Sequence, residues 1–248
     1  HVLYTYVGVR PLARSDADKP GGISRDHSVV VDPPNAGRSI PMVCLVGGKW
    51  TTFRSLAELA TDDVLRLIGR PRQHSTAQRP IGGGAGLPQD AAGMNALLAR
   101  VEAAGHVGRP RAMALVDRYG SSALALAERF AAEGDRPLQR APDFSVAEVN
   151  FLCRDTAVAH LDDLVIRRTV LAISGKVTTA LLAELAEVAG AALGWNPERR
   201  AMELDHCTRL LQEHHSVPLA NTETVSHRAP RTFDASLPTD SLSDPIAT

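Results

Sequence analysis

The sequence predicts an α+β fold that is mainly α, in which a short β-rich segment precedes a bundle of helices. Apolar runs of strand length, interrupted by Pro and Gly, occupy residues 1–54. After the first third of the chain, apolar residues recur at helical spacing instead. The 248 residues are 44% hydrophobic and 22% charged, which is typical of globular proteins with a packed core. We therefore expect three parts, at residues 1–72, 73–215 and 216–248.

The β-rich part is predicted to contain three strands and one helix. The strands are Val2–Val9, His27–Asp32 and Met42–Val46. The continuous apolar run of the third strand is typical of a strand that is buried on both faces. A tight turn follows it, and the apolar residues from Leu56 to Leu67 then indicate a helix. Residues 70–88 are rich in Gly, Pro, Gln and Ser and are predicted to be a linker. Strand edges in so small a β segment favour pairing with another chain, for example in a homodimer.

The rest of the chain is predicted to form a bundle of about six helices. Candidate segments are 94–104, 110–120, 122–132, a helix beginning at Ser145, 162–173, 176–193 and 196–215. Ser145 and Glu148 form a capping-box pattern, in which the serine oxygen accepts a backbone N–H and the glutamate reaches back. Asn196 and Pro197 supply an N-cap and a first-turn proline. Ser, Thr, Pro and Asp predominate from residue 216 onward, which predicts a disordered tail.

Composition excludes several classes of function. A formal net charge of -1 and a pI of about 6.8 make nucleic acid an unexpected partner. No apolar run is long enough to span a membrane. The widely spaced Cys44, Cys153 and Cys207 fit free thiols in a reducing cytoplasm better than a disulfide framework. The first residues have neither an initiator Met nor the layout of a signal peptide, so we expect a fragment of a longer protein.

The junction at Gly47-Gly48-Lys49 is the first candidate site. A helix start presents free N–H groups and partial positive charge, glycines permit close approach, and Lys49 adds a full charge. The pattern is consistent with a cofactor or phosphate contact, and equally with an ordinary turn beside a solvated lysine. It is not a Walker loop, because Val43 and Trp50 stand where that motif needs Gly and Ser or Thr.

Three cations at the ends of predicted elements form a second candidate. Arg10 follows the first strand, Arg25 precedes the second and Lys49 begins the helix. Such cations can converge on a small anion, because arginine offers a bidentate fork to phosphate or carboxylate. Separate surface charges are the alternative.

Two further patterns indicate ordinary structure. The glycines from 82 to 86 have no preceding strand, so they do not form a dinucleotide-binding fingerprint. The last predicted helix carries His206, Cys207, His214 and His215. No carboxylate or second cysteine completes a set with metal-ligand spacing there. We interpret these residues as a solvated helix end and predict no metal site.

Three motifs in series resemble the C-terminal part of the FAD-dependent glycerol-3-phosphate dehydrogenases. They are Gly8-Val9-Arg10-Pro11-Leu12, Ser24-Arg25-Asp26-His27 and Gly47-Gly48-Lys49-Trp50-Thr51-Thr52-Phe53-Arg54. The helical half agrees in order and spacing at Tyr119-Gly120, Glu148 to Arg154, Asp163 to Thr169 and Leu193-Gly194-Trp195. The resemblance covers about residues 2 to 212. This sequence departs from the family at Phe53, where Tyr is commoner, at Thr156, where an acid is usual, and at His160, where Thr is common.

The resemblance implies an activity and a domain plan. Members of this family oxidise sn-glycerol 3-phosphate to dihydroxyacetone phosphate on bound FAD and pass the electrons to quinone, usually as peripheral membrane proteins. Residues 1–72 would then be the remnant of an FAD and substrate domain, and residues 73–215 the helical C-terminal domain. The dinucleotide fingerprint and any catalytic base would lie in a preceding half. We expect a cytoplasmic protein that is peripheral on the cytoplasmic membrane.

The resemblance also implies roles for individual residues. Arg10 and Arg25 would bind the substrate, and Lys49 would lie beside both flavin and substrate, so that Arg10 and Lys49 are the catalytic candidates. The residues that would approach the flavin are Gly47, Gly48 and Thr51, and Thr51 would also contact substrate. Hydride transfer leaves negative charge on the flavin's pyrimidine edge, which a lysine and a helix start can stabilise. An oxygen-using oxidase of the same family and a non-catalytic helical interaction module are the alternatives.

Overall fold

The computed structural model describes residues 2–8, 26–47 and 49–219, and these residues contain two β-strands and seven α-helices. Strands β1 (Ser28–Asp32) and β2 (Met42–Val46) pair antiparallel, with Val30 opposite Cys44. The helices are α1 (Phe53–Leu67), α2 (Ala91–Gly105), α3 (Arg109–Tyr119), α4 (Ala123–Ala132), α5 (Val146–Asp155), α6 (Thr179–Leu193) and α7 (Pro197–His215). The predicted fold class, mainly α with a small β part, is confirmed.

The β part differs from its prediction in two ways. Residues 2–8 of the first predicted strand form no strand, and Val9 lies outside the described residues. β2 is not buried on both faces, since Met42 and Leu45 are 47% and 50% exposed. The reason is that, in the described part of the chain, β2 pairs with β1 alone and packs mainly against α1. Within β1, β2 and α1 no residue is buried.

The core of the molecule lies in the helical bundle and has two clusters. Leu97, Val101, Leu115 and Phe130 centre the cluster formed by α2, α3 and α4. The second cluster joins α5, α6 and α7 around residues such as Leu161, Leu164, Leu181, Leu185 and Leu211. Phe151 packs against both clusters and so connects them. Each such side chain contributes ~1.5–3 kcal/mol when fully buried, which makes the bundle the stable part of the described structure.

Helix caps follow the sequence in most places. Asn196 accepts the Arg199 N–H at 2.7 Å, as predicted for α7. Thr178 accepts the Leu181 N–H at 3.1 Å, so that α6 begins three residues later than expected. Ser145 accepts the Glu148 N–H at 3.3 Å, which confirms half of the capping box. The other half is wrong, because the Glu148 side chain turns away from the cap and into the bundle.

The helix predicted over 162–173 is short and irregular. A π-helical segment covers Asp163–Arg168, and turns follow it up to Gly175. The Thr169 hydroxyl donates to the carbonyl of Leu164 at 2.9 Å and lies 3.3 Å from that of Val165. A hydroxyl that bonds the backbone in this way competes with the helical ladder, and this competition explains why the helix ends early.

The chain beyond α7 begins by packing on the core. Ser216 takes a left-handed conformation at the end of α7, with φ of 53°. Val217 is buried, and its N–H donates to the Leu211 carbonyl at 3.0 Å. The rest of the tail predicted to be disordered, residues 220–248, lies outside the described residues.

Candidate functional site

Gly47 shapes the junction between β2 and α1. Its φ is +75°, and a Cβ at this position would lie 2.8 Å from the backbone oxygen of Asp26. Only glycine combines this conformation with so close a backbone contact. The sequence therefore uses Gly47 to bring the segment before β1 against the end of β2.

Lys49 lies at the start of the helical turns that lead into α1. Its ammonium Nζ is 3.0 Å from Oδ1 of Asp26, and the two side chains are 51% and 81% exposed. An ion pair this exposed contributes ~0–1 kcal/mol to stability. Lys49 is thus held near the junction by a weak pair and can turn to another anion at little cost.

The turn after Lys49 is short and open to solvent. Trp50–Thr52 form a 3₁₀ turn, and the Thr52 hydroxyl donates to the Lys49 carbonyl at 3.1 Å. Thr51 is exposed, and the Trp50 ring is 90% exposed. The first N–H groups of a helix have no partner within the helix, so this end offers backbone donors beside the Lys49 cation.

The structure places some of the predicted site residues and not others. It brings Gly47, Lys49 and Thr51 to one junction, whereas Arg10, Arg25 and Gly48 lie outside the described residues. The residue that the prediction missed is Asp26, the partner of Lys49. Its signal was present in the sequence, because Asp26 belongs to the second of the three motifs in series.

A second set of contacts ties α1 to the segment that follows it. The Arg54 guanidinium donates to the carbonyl of Arg79 at 2.7 Å and to that of Thr76. The Glu58 carboxylate accepts from the Ser75 hydroxyl at 2.8 Å, from the Thr76 N–H, and from the Thr76 hydroxyl at 3.0 Å. These hydrogen bonds lower the pKa of Glu58 to about 2, and the bond from the Ser75 hydroxyl contributes most, followed by those from Thr76. We call residues 70–88, fixed in this way, the bridge.

The other end of the bridge is attached to the helical bundle through glycines. The Ser121 N–H donates to the Gly83 carbonyl at 2.9 Å. A Cβ at Gly120 would lie 2.2 Å from that same carbonyl oxygen. The glycine run and the Tyr119-Gly120 pair therefore serve backbone packing. This agrees with the prediction that the run is not a dinucleotide fingerprint.

Two clefts flank the bridge, and neither is lined by the junction residues. One has a volume of about 600 Å³ and lies between α1 and residues 70–76. The other, of about 550 Å³, lies between Arg54, the glycine run and the end of α3.

Glu148 is the centre of a buried ionic cluster within the bundle. Its fully buried carboxylate accepts from Arg111 at 2.7 Å, from Arg118 at 3.0 Å and from the Tyr119 hydroxyl at 2.7 Å. Burial raises the pKa of Tyr119, and the neighbouring negative charge of Glu148 raises it further. Because protein groups fill the bonding positions around this carboxylate, we assign it a structural role.

A second cluster contains residues that can ligate metals. Donor atoms of His160, Asp162 and Glu203 lie within 4.8 Å of one another. Arg199 binds Glu203 at 2.6 Å, however, and Arg167 binds Asp162 at 2.5 Å. The arginines already neutralise both carboxylates and would repel a metal cation, so we also assign this cluster a structural role.

The histidines and the cysteine of α7 do not form a set of ligands. His206 is 54% exposed, with its Nε2 3.9 Å from Asp162 Oδ1. Cys207 is fully buried, and burial raises the pKa of its thiol to about 12. A protonated, inaccessible thiol is suited to packing rather than to chemistry.

No helix among residues 2–8, 26–47 and 49–219 is both long enough and apolar enough to cross a membrane.

These elements define a helical C-terminal domain that a fixed bridge joins to a strand–glycine–helix junction. Residues 74–200 match the family model described as the C-terminal domain of alpha-glycerophosphate oxidase. The chain belongs to this family, and the resemblance drawn from the motifs is confirmed.

The curated relatives point the same way. A glycerol-3-phosphate dehydrogenase of Mycobacterium leprae is 32% identical over 203 residues, which are 78% of this chain and 32% of the relative. The glycerol-3-phosphate dehydrogenase of Synechocystis is 28% identical over 86% of this chain and 37% of its own length. The aerobic glycerol-3-phosphate dehydrogenase of Escherichia coli is 39% identical over 25% of this chain and 12% of its own length. The chain thus spans about a third of the length of the first two.

Proposed function

We propose that this chain is the C-terminal portion of an FAD-dependent glycerol-3-phosphate dehydrogenase. The complete protein would oxidise sn-glycerol 3-phosphate to dihydroxyacetone phosphate and pass the electrons to a quinone. The family match and the names of the relatives support this proposal, as do the three motifs in series. A quinone acceptor implies contact with a membrane, which we propose to be peripheral and cytoplasmic.

The observation that carries the proposal is the chemistry of the junction. Gly47 lets the backbone turn tightly, and the following helix start offers N–H donors. Lys49 supplies a cation whose ion pair with Asp26 is exposed and therefore weak. This donor set fits the anionic pyrimidine edge of a reduced flavin.

The β part also has the character of an incomplete domain. None of the residues in β1, β2 or α1 is buried, and large apolar side chains such as Val30, Leu45 and Phe53 are 50–51% exposed. A two-stranded hairpin is at best marginally stable by itself in water, and its packing against α1 leaves no residue of these elements buried. A larger flavin-binding part, which would cover these side chains, accounts for their exposure.

The proposed roles of this chain's residues follow from their charges. FAD, when bound, accepts the hydride from the carbinol carbon of the substrate. Arg10 and Arg25 hold the phosphate through bidentate bonds, and Lys49 and Thr51 donate at the junction to substrate and flavin. Gly47 and Gly48 leave room for backbone N–H groups to approach the ring. The group that takes the hydroxyl proton is expected outside this chain.

Anaerobic reduction of the complete dehydrogenase tests the proposal. Sn-glycerol 3-phosphate should bleach the flavin's visible band, whereas glycerol, which lacks the phosphate, should not. A protein that carries no flavin, or a flavin that the phosphate ester leaves oxidised, would favour the helical interaction module instead.

Substitution of Lys49 tests the role of the junction. Lys49→Met should lower the flavin's reduction potential and slow its reduction about tenfold, equivalent to ~1.4 kcal/mol, because a cation near the developing negative charge is lost. Lys176→Met is a matched control, since Lys176 is also 51% exposed and pairs with Asp143 at 2.9 Å. Equal flavin potentials and rates in the two variants would remove Lys49 from the flavin site.

Oxygen is a second candidate for the electron acceptor, because the description of the matching family names an oxidase. Stopped-flow reoxidation of the reduced flavin distinguishes the two. Faster reoxidation by a quinone analogue than by oxygen supports the dehydrogenase, and the reverse order supports the oxidase.

A further inference from the structure

The cleft between α1, the bridge and α3 has an excess of positive charge. Its lining includes three arginines, Arg54, Arg79 and Arg118, and a single acid, Asp117. Glu148 already neutralises Arg118, at 3.0 Å. Neither Arg54 nor Arg79 forms an ion pair with the part of the chain that the structure describes. Two uncompensated cations therefore face the cleft against one carboxylate.

Arg54 is held so that one edge of its guanidinium is left for a ligand. Its Nη1 donates to the carbonyl of Thr76 and, at 2.7 Å, to that of Arg79. No residue among 2–8, 26–47 and 49–219 accepts a hydrogen bond from its Nε or Nη2. These two nitrogens form the fork that binds two oxygens of an oxyanion. Because two carbonyls fix the planar group, less side-chain entropy is lost when a ligand binds.

Backbone donors of the glycine run supplement the arginines. The Gly84 N–H closes a turn on the Ile81 carbonyl at 2.7 Å, and the Gly83 carbonyl accepts the Ser121 N–H at 2.9 Å. The N–H groups of Gly82 and Gly83, by contrast, donate to no residue that the structure describes. All three glycines line the cleft. Peptide N–H groups that no side chain screens are the donors with which glycine-rich loops bind anions.

We propose that this cleft binds a small organic phosphate. The oxygens of a phosphate can accept from the fork of Arg54, from Arg79 and from a glycine N–H at the same time, whereas a carboxylate has only two oxygens. The volume of about 550 Å³ is typical of small-molecule sites. Ile81 and Leu87 also line the cleft and offer apolar surface to the carbon part of the ligand. The proposal does not depend on flavin chemistry, because none of these residues belongs to the junction.

Nuclear magnetic resonance of the 248-residue chain tests the site directly. Phenyl phosphate, added at constant ionic strength, should shift the amide signals of Gly82 and Gly83 until they saturate. Benzyl alcohol, which lacks the phosphate, should leave these signals unchanged, and inorganic phosphate should bind more weakly than the ester. Shifts that do not saturate, or that are as large around the exposed Arg100, would show general attraction to surface charge and overturn the proposal.

Substitutions identify the groups that bind. Arg79→Gln should weaken the binding of phenyl phosphate about tenfold, because one charge-assisted contact is lost. Arg54→Lys should also weaken it, since lysine keeps the charge but not the fork. Arg100→Gln is the matched control, because Arg100 is an exposed arginine of α2 that pairs with no described residue. Equal affinities in Arg79→Gln and Arg100→Gln would remove the ligand from the cleft.

The complete dehydrogenase distinguishes a small ligand from a protein partner. Phenyl phosphate should raise its Tm, and Arg79→Gln should reduce this rise, so that the difference separates the cleft from the substrate site. Binding by the 248-residue chain with no such difference in the complete protein would mean that another part of the protein fills the cleft, which would overturn the proposal. None of these measurements requires turnover, so failure of the proposed function and failure of this site are distinguishable.

Discussion

Glu148 shows how tertiary contacts can override a local sequence pattern. Its position three residues after Ser145 predicts a bond back to the cap, and the serine indeed accepts the Glu148 N–H. The carboxylate instead binds Arg111 and Arg118, which lie 37 and 30 residues earlier in the chain. A cap is a local feature that sequence can predict, whereas an ion cluster depends on how α3 packs against α5.

Removal of this carboxylate should destabilise the bundle. Glu148→Ala should lower the free energy of unfolding by ~2–4 kcal/mol, because two partly buried arginines lose their common anion. Glu187→Ala is a suitable control, since Glu187 is 65% exposed and binds Arg200 at 2.9 Å, and its loss should cost less than ~1 kcal/mol. Urea unfolding followed by circular dichroism measures both. Equal losses would show that the buried cluster adds nothing beyond a surface pair.

The junction residues were partly predictable for a physical reason. Gly47, Lys49 and Thr51 are close in sequence, so one turn brings them together whatever the rest of the fold is. Asp26 reaches Lys49 across 23 residues only because β1 and β2 pair in register. No pattern within one sequence specifies that strand pairing, although the second and third of the three motifs contain Asp26 and Lys49.

At the scale of elements, the bridge is the main departure from expectation. Its Gly and Pro content predicts a linker, and residues 70–88 are indeed outside the helices. Composition does not reveal that Glu58 and Arg54 fix one end or that Gly83 fits against Gly120 at the other. A glycine that permits close packing and a glycine that permits flexibility look the same in sequence.

The bridge should loosen in acid. The folded pKa of Glu58 is about 2, below its ordinary value of 4.5, so the stabilisation that its carboxylate provides is complete above pH 4.5. It should be lost as the pH falls toward 2, because the protonated form accepts the Ser75 and Thr76 bonds less well. Nuclear magnetic resonance of the Thr76 amide should show a midpoint near 2.

A variant provides the control for this titration. Glu58→Gln cannot titrate, so its Thr76 amide signal should lose the pH-dependent step. A wild-type midpoint near 4.5 would show that the bonds to Glu58 do not persist in solution.

For the molecule as a whole, the division between a weakly packed β part and a well-packed bundle follows from the sequence. Apolar residues at helical spacing give α2 to α7 a continuous interior, whereas in the described part of the chain the short apolar strands pair with each other and pack against α1 without burying a residue. Sequence alone could not show that residues 2–8 return to α7, since the Thr5 N–H meets the His215 carbonyl only when the chain is folded.

The three cysteines should report this division in the 248-residue chain. Cys44 lies on β2 and is partly exposed, whereas Cys153 and Cys207 are buried in the bundle. Burial raises the pKa of Cys153 to about 11 and that of Cys207 to about 12, so both thiols are protonated at neutral pH and unreactive. A thiol reagent should therefore modify Cys44 in native conditions, and the other two only at the urea concentration that unfolds the helices. Labelling resolved by mass spectrometry measures each site. Simultaneous modification of all three would mean that the β part and the bundle unfold as one cooperative unit.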